Sequence, residues 1–420
     1  MIYRLGEICD IFDGPHATPP ETDSGPIFLG IKNINENCEL DISEVKYISE
    51  SNYQTWTRRV CPQEDDIVFS YEATLNRYAL IPYGFYGCLG RRLGIARVKN
   101  TSIVNPHFLY HYFCSSTWKS FIEANKVVGS TVLRVSIEEF PDYTIELPSI
   151  QRQNSIANLL DNIVEKKKNN DTICSNLEAM AKLLYDYWFV QFDFPDENGK
   201  PYKSSGGKMV WNEELKREIP EGWEVKNLGN LCSFMNGINY NKDEIGDKTY
   251  RIVNVRNITA STLVLDDSDF DEITLRSVQA ERYIVKENDI LIARSGVPGA
   301  TRLLLNIDNK TIFCGFIIRC EPNDSSLRFY LTYLLKQLEG TSATQTGGSI
   351  LQNVSQDTLS RVSVIVPPSR IIELYNKWIS EYLNMIQNYI TENKELVSLR
   401  DFLLPMLMNG QVRLSDRLSI

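Results

Sequence analysis

LGEICDIFDG at residues 5–14 and LGNLCSFMNG at residues 228–237 carry the same residue at four places. Leu5 answers to Leu228, Gly6 to Gly229, Cys9 to Cys232 and Gly14 to Gly237. The correspondence continues outward in order. IKNI at 31–34 matches VRNI at 255–258, EDDIVF at 64–69 matches ENDILI at 287–292, and PHFLYHYF at 106–113 matches LRFYLTYL at 327–334. GSTVLRVS at 129–136 then matches GSILQNVS at 348–355, and LPS at 147–149 matches VPP at 366–368. The offset between the copies drifts only from 224 to 219. Chance likeness does not stay in register over so many blocks. The chain is a tandem duplication of about half its length, a period too long for a solenoid.

Each copy closes on a long helix. After Pro148, apolar or small residues alternate at spacings of four and three: Ile156, Leu160, Ile163, Cys174, Leu177, Ala181, Leu184 and Trp188, with Lys167 and Asn170 at the intervening places. The second copy runs Ile371, Tyr375, Trp378, Tyr382, Met385, Tyr389, Glu392, Leu396, Leu399 and Leu403. This is the seam of a coiled coil, and each seam spans about 48 Å at ~1.5 Å per residue. Two seams of equal length predict that the helices pack on each other. Pro148 and Pro367–Pro368 mark their starts, and Pro195 and Pro405 their ends. Within each copy, short β-type runs such as DIVFSY (66–71), RLGIARV (92–98), DILIAR (289–294) and TIFCGFIIR (311–319) are split by Gly, Pro and Asn. A short helix follows them at 105–116 and again at 326–338. The fold class read from this pattern is α+β: two tandem α/β domains separated by two long antiparallel coiled-coil helices, in a pseudo-two-fold arrangement.

Composition narrows the class. The 420 residues are 43% hydrophobic and 23% charged, which points to two or three globular domains and away from disorder. No apolar run approaches the ~18–20 residues that span a bilayer. The opening MIYRLGEICD lacks a basic region followed by an apolar core, which argues against a secretory leader. Nine scattered cysteines with no C-x-x-C pair argue against a zinc ribbon or a disulfide framework. A cytoplasmic protein with no membrane partner is expected. The net charge of −10 disfavours nucleic acid only as a whole-chain sum. Between Ile67 and Val135 eight basic residues face two acids, Glu72 and Glu123.

Catalytic chemistry is sought and not found. No phosphate loop is present, and no G-x-G-x-x-G opens a helix after a strand. GFYGCLG at 84–90 precedes β-type residues and is read as a turn. His107 and His111 have helical i, i+4 spacing but lack the glutamate of H-E-x-x-H, and their repeat partners are Arg328 and Thr332. A structural role is expected for both. NPHF at 105–108 is similar to the N-P-P-F/Y loop of amino-methyltransferases but lacks the second proline. Asn followed by Pro at a helix start is an N-cap, and Asn105 is assigned to that role. Recurring Gly, Arg, Asn and Ser in loops point to binding. Two similar globules joined by helices suit two DNA half-sites, and ~48 Å matches about 14 base pairs.

At this point the chain resembles the specificity subunits of type I restriction–modification systems, over essentially its whole length. LPSIQRQNSIANLLDNIVEKKKNN from 147 is similar to the start of the family's first conserved helix, and LEAMAKLLYDYWFVQFDFP at 177–195 to its continuation. IPEGWEVKNLGNL at 219–231 is similar to the entry into the second target-recognition domain, and LLPMLMNGQVRL at 403–414 to the C-terminal motif. SRII at 369–372 departs from the family's acidic–glutamine pair. The resemblance implies a non-catalytic subunit with a target-recognition domain at 1–147, a long helix at 148–195, a linker at 196–225, a second target-recognition domain at 226–366, a second helix at 367–408 and a tail at 409–420. It implies double-stranded DNA, two methyltransferase subunits and restriction/translocase subunits as partners. No cofactor is expected on this chain, with S-adenosylmethionine and ATP/Mg expected on the partners. The competing classes are a stand-alone modification enzyme and a coiled-coil scaffold with no DNA role.

Base reading needs loop side chains. The residues expected to bind DNA are Tyr71, Asn76 and Arg77 after EDDIVF, and Arg294, Ser295 and Arg302 after ENDILI. Arg91 and Arg92 join them from a Gly-bounded turn, Ser130 and Ser349 from Gly-rich segments, and Lys32, Asn33, Arg256 and Asn257 by recurrence.

Overall fold

The computed structural model describes residues 1–127, 132–241, 246–260, 262–305, 308–339 and 354–412. The chain divides into two compact units, Met1–Lys167 with Glu395–Ile420, and Lys168–Lys394.

Among the described residues of the first unit, nine strands form three sheets. They are β1 (Ile2–Arg4), β2 (Cys9–Asp13), β3 (Thr22–Leu29), β4 (Lys46–Tyr47), β5 (Ile67–Ser70), β6 (Tyr78–Leu80), β7 (Gly87–Leu89), β8 (Leu93–Val98) and β9 (Thr144–Glu146). The sheet orders are β2-β8-β5-β6, β4-β3-β7 and β1-β9. Among the described residues of this unit, only β3 and β7 pair in parallel. β5 is buried along its whole length, as a continuous IVFS run in a central strand requires.

The second unit repeats this topology strand for strand. After the hairpin β10 (Met209–Asn212) and β11 (Arg217–Pro220) come β12 (Glu224–Asn227), β13 (Cys232–Asn236), β14 (Lys248–Val253), β15 (Asp271–Leu275), β16 (Ile290–Ala293), β17 (Thr301–Leu303), β18 (Thr311–Phe313), β19 (Ile317–Pro322) and β20 (Ser363–Val366). The orders β13-β19-β16-β17, β15-β14-β18 and β12-β20 mirror those of the first unit. Turn bonds recur as well. Gly14 N–H donates to the Leu93 carbonyl at 2.9 Å, and Gly237 N–H to Ile317 at 3.0 Å. The repeated EDD/END motif is a turn staple: Asp66 accepts from the Gln63 amide, and Asp289 from the Lys286 amide. Burial pushes Asp289 up to about 6 against the pull of that bond and of Arg319.

The long helices run Ile150–Tyr185 and Ser369–Met408, the first continuing into a π-helical turn, Asp186–Val190. In the second unit their halves pair antiparallel. The buried Asn170 amide donates to Glu392 (2.8 Å) and Asn393 (2.9 Å), while Tyr185 packs on Tyr375. A buried polar layer of this kind fixes helix register. In the first unit Ile156 and Leu160 share a core with Leu404 and Leu407.

Three expectations are corrected. The seam of the second helix shifts by one residue after Tyr375: Ile379, Leu383 and Ile386 are buried, while Trp378, Met385 and Leu399 are exposed. Apolar residues stand side by side at 378–379, 382–383 and 385–386, so spacing alone does not fix the phase, and the compact aliphatic side chains fill it. The segment 196–225 is folded into the second unit. Ile219 and Trp223 are buried, and Phe194 stacks on both Trp223 and Tyr202. Its apolar anchors, spaced between polar residues, hold the hairpin down. Pro405 sits inside the last turn of its helix, where its carbonyl accepts from Asn409.

Asn105 caps the helix Pro106–Cys114, accepting from Phe108 N–H at 3.0 Å. His107 and His111 both reach Asp161 on the first long helix, each at 2.8 Å. Burial works against the Asp161 charge, yet the two imidazoles hold it down at about 2. Asp161 raises His107, while burial lowers His111. A depressed carboxyl stabilises the fold above its unfolded value and loses that contribution as pH falls toward 2. A raised imidazole contributes below its unfolded value and loses that as pH rises through its folded one. Asp161→Asn should therefore cost about 2–3 kcal/mol near pH 5. The gap from the parent, measured by urea denaturation, should shrink toward both pH 2 and alkaline pH.

Candidate nucleic-acid interface

In the first unit four segments meet at one edge: the loop Tyr71–Arg77 between β5 and β6, the turn Gly90–Arg92 between β7 and β8, Gly14–His16 after β2, and Val132–Val135. Tyr71 N–H donates to the Arg92 carbonyl (3.1 Å), Val135 N–H to Tyr71 (2.9 Å) and Ala73 N–H to Leu133 (2.8 Å). The Tyr71 hydroxyl donates to Asp13 at 2.7 Å. The cations here divide into paired and unpaired. Arg59 and His16 both engage Asp13, and Arg92 donates from Nε to Glu72 at 3.0 Å. Arg91 and Arg134 are exposed, and no hydrogen bond or ion pair holds either side chain among the described residues. Free guanidinium groups on a braced edge can take phosphates or guanine edges.

The second unit builds the same edge from different side chains. Arg294 N–H donates to the Phe316 carbonyl at 2.9 Å, and Val354 N–H to Arg294 at 2.9 Å. These bonds match those of Tyr71, so Arg294 stands where Tyr71 does and Phe316 where Arg92 does. Strand register pairs Val68 with Ala79 and Leu291 with Arg302. Arg302 is thus the counterpart of Ala79, and that of Arg77 is Ala300. Both loops place left-handed residues at matching positions. Ala73 (φ +68°) answers to Gly296 (φ +78°), and Asn76 (φ +64°) to Gly299 (φ +88°). Asn tolerates that conformation, which accounts for its choice at 76.

The residues expected to bind DNA therefore fall into three sets. Arg91 is exposed and unpaired, and Lys32 is exposed beside Thr74 and Arg77 around a surface depression. Ser295 is half-buried on the second loop. Arg77, Arg92, Arg256 and Asn76 lie at or near the surface but are engaged: Arg77 with Glu36 (2.8 Å), Arg92 with Glu72, Arg256 with Asp271 (2.7 Å), and Asn76 with Glu123 (3.2 Å). Asn33, Asn257, Tyr71, Arg294 and Arg302 are bound inward. Asn33 accepts from Gly30 N–H and donates to the Asp41 and Glu44 carbonyls, each at 3.0 Å. Asn257 likewise accepts from Asn254 and donates to Asp269. Their recurrence reflects a shared loop staple. Arg294 donates to the Gly315 carbonyl at 3.0 Å. Arg302, only 7% exposed, donates to Glu339 at 2.8 Å. Ser130 and Ser349 lie outside the described residues. Sequence reading did not single out Arg134, His16, Arg59, Asn239 or Phe316. The signal for His16 and Asn239 was their place two residues after the repeated Gly14 and Gly237.

Among the described residues no group of three or more His, Cys, Asp or Glu is arranged to hold a metal ion, and no helix is long and apolar enough to cross a membrane. The described structure is a duplicated α/β fold with long helices that pair in the second unit and a braced, partly cationic loop edge in the first. The model of the type I restriction modification DNA specificity domain matches residues 1–179 and again 220–399, and the chain belongs to that family. It is similar to the specificity subunit of the type I restriction enzyme MjaIX of Methanocaldococcus jannaschii, with 26% identity over 74% of this chain and 70% of that one. The HindI specificity subunit of Haemophilus influenzae is 22% identical over 74% of this chain and 79% of its own length. In fold it is similar to the crystal structure of the S subunit of a type I restriction–modification system from M. genitalium. That match has a TM-score of 0.53 and 15% identity, and covers 97% of this chain and 95% of the other. The chain is thus a type I specificity subunit, the DNA-recognition component and not the catalytic one.

Loop-holding residues and exposed loop residues should separate in a stability measurement. Asn33→Ala and Asn257→Ala each strand buried backbone groups and should cost about 2–3 kcal/mol. Arg91→Ala should change stability by less than about 0.5 kcal/mol. Chemical denaturation of the three variants checks this.

Proposed function

We propose that the chain reads a bipartite, interrupted DNA site, one half with each unit, and scaffolds two methyltransferase subunits and the restriction/translocase subunits. The observation that carries this reading is the loop edge built twice on one backbone plan with different exposed side chains. One fold presenting two chemistries suits two unlike half-sites. Arg91, Arg134 and Lys32 are the contacts we propose for the first half. Among the remaining expected residues, Arg77, Arg92 and Arg256 would reach DNA only by exchanging their carboxylate partners for phosphate. S-adenosylmethionine and ATP with Mg2+ would be held by the partners.

For the methyltransferase contact we propose the exposed apolar residues Met180, Leu183, Tyr187 and Val190. They recur about every three to four residues along the end of the first long helix and its π-helical turn. An apolar stripe without a cover of its own is suited to a partner protein, and π-helical turns concentrate at functional places.

Two measurements test the proposal. Arg91→Ala, in the assembled complex, should relax recognition at one base pair of one half-site by about 1–3 kcal/mol and leave the other half unchanged. Uniform weakening on a panel of half-site mutants would make Arg91 a phosphate contact. Leu183→Asp should abolish co-purification with the methyltransferase while the free chain keeps its melting temperature. Retained co-purification would remove the stripe from the interface.

A further inference from the structure

The second unit carries a set of exposed side chains that nothing in its own core explains. Phe316 is 60% exposed at the tip of the turn between β18 and β19, and Val297 is 50% exposed on the loop between β16 and β17. Single exposed apolar residues are ordinary. These two stand on neighbouring segments joined by the Arg294 N–H to Phe316 carbonyl bond. Both segments are braced. Ile317 N–H donates to Cys314 (2.9 Å), Gly315 N–H to Ile238 (2.7 Å) and Arg294 Nη1 to the Gly315 carbonyl (3.0 Å). In the loop, Gly299 N–H donates to Ala293 (2.9 Å) and Ala300 N–H to Val297 (3.1 Å). The apolar groups are presented on fixed backbone, as a reading element needs.

A polar group completes the set. Asn239 is exposed, and its amide makes no hydrogen bond among the described residues. It lies against Gly315, where a Cβ would run into the amide oxygen. Glycine at 315, the residue before Phe316, therefore leaves room for the Asn239 amide. The counterparts in the first unit are Arg91 for Gly315, Arg92 for Phe316 and His16 for Asn239. Among the described residues, one unit offers an unpaired guanidinium at this place, and the other an unpaired amide against the glycine that precedes an exposed aromatic residue.

In the major groove an Asn amide matches the N6/N7 edge of adenine, and an apolar group matches the 5-methyl of thymine, whereas Arg matches guanine. We infer that Asn239 and Phe316 form a specificity element that selects an A·T pair in the half-site read by the second unit, with Val297 flanking it. This inference rests on the reading of the chain as a bipartite DNA-recognition subunit.

The test uses the full chain in complex with its methyltransferase and duplexes carrying its mapped recognition site. The second unit's half is the one that Arg91→Ala leaves unchanged. Each thymine of that half is replaced in turn by deoxyuridine, which removes only the methyl group. At one position the parent complex should bind about fourfold more weakly, the worth of one apolar carbon. Phe316→Ala should be indifferent to that replacement, while Phe316→Leu should still sense it. Asn239→Ala should lose discrimination between A·T and G·C at the same pair, by about 5- to 150-fold. If no thymine is sensitive, or if Phe316→Ala still senses the methyl, the inference falls while DNA recognition stands. If the parent complex shows no sequence-dependent binding at all, the underlying function fails instead.

Discussion

One backbone hydrogen bond organises both loop edges: the first amide of the loop after the central strand donates to the carbonyl of the turn before the neighbouring strand. It runs from Tyr71 to Arg92 in the first unit and from Arg294 to Phe316 in the second. The bond uses no side chain of the turn residue, so that residue is free to differ between copies. The segments that arrive from β2 and β13, and the amides of Val135 and Val354, are placed around the same bond. A duplicated gene can therefore diverge in what the edge presents without changing how the edge is built.

The same division explains why recurrence is an ambiguous guide to function. Asn33 and Asn257 recur because three residues of loop must be closed by a side chain that both accepts and donates. Asp66 and Asp289 recur because a tight turn before a buried strand leaves an amide to satisfy. The positions that differ include Arg91 and Gly315, Arg92 and Phe316, and His16 and Asn239; among them Arg91, Phe316, His16 and Asn239 carry exposed side chains. On the proposed function, repetition marks the frame and divergence marks the candidate reader.

Much of the fold was legible in the sequence. The repeated blocks fall on β2 and β13, on β5 and β16, and on the helices Pro106–Cys114 and Arg328–Gln337. The long helices and their polar Asn170 layer followed from heptad spacing. What spacing did not carry was phase where apolar residues are adjacent, as at Trp378–Ile379, because either neighbour satisfies the period. It also did not carry the folded hairpin at 209–220, whose anchors are few and set among charged residues. The site was less legible. Arg302 was aligned with Arg77 by loop order, but strand pairing puts it opposite Leu291, where it is buried against Glu339. A loop arginine and an inward strand arginine look alike until the register is known.

The proposed function has equivalent turns of the two units facing different halves of one DNA site. Site-specific photo-crosslinking tests it most directly, with p-benzoylphenylalanine placed at position 91 or 316 of the complex on its mapped site. The account predicts one crosslink cluster from each variant, in opposite half-sites and on bases instead of in the spacer. Crosslinks from both positions to the same half-site, or from neither to DNA, would contradict it.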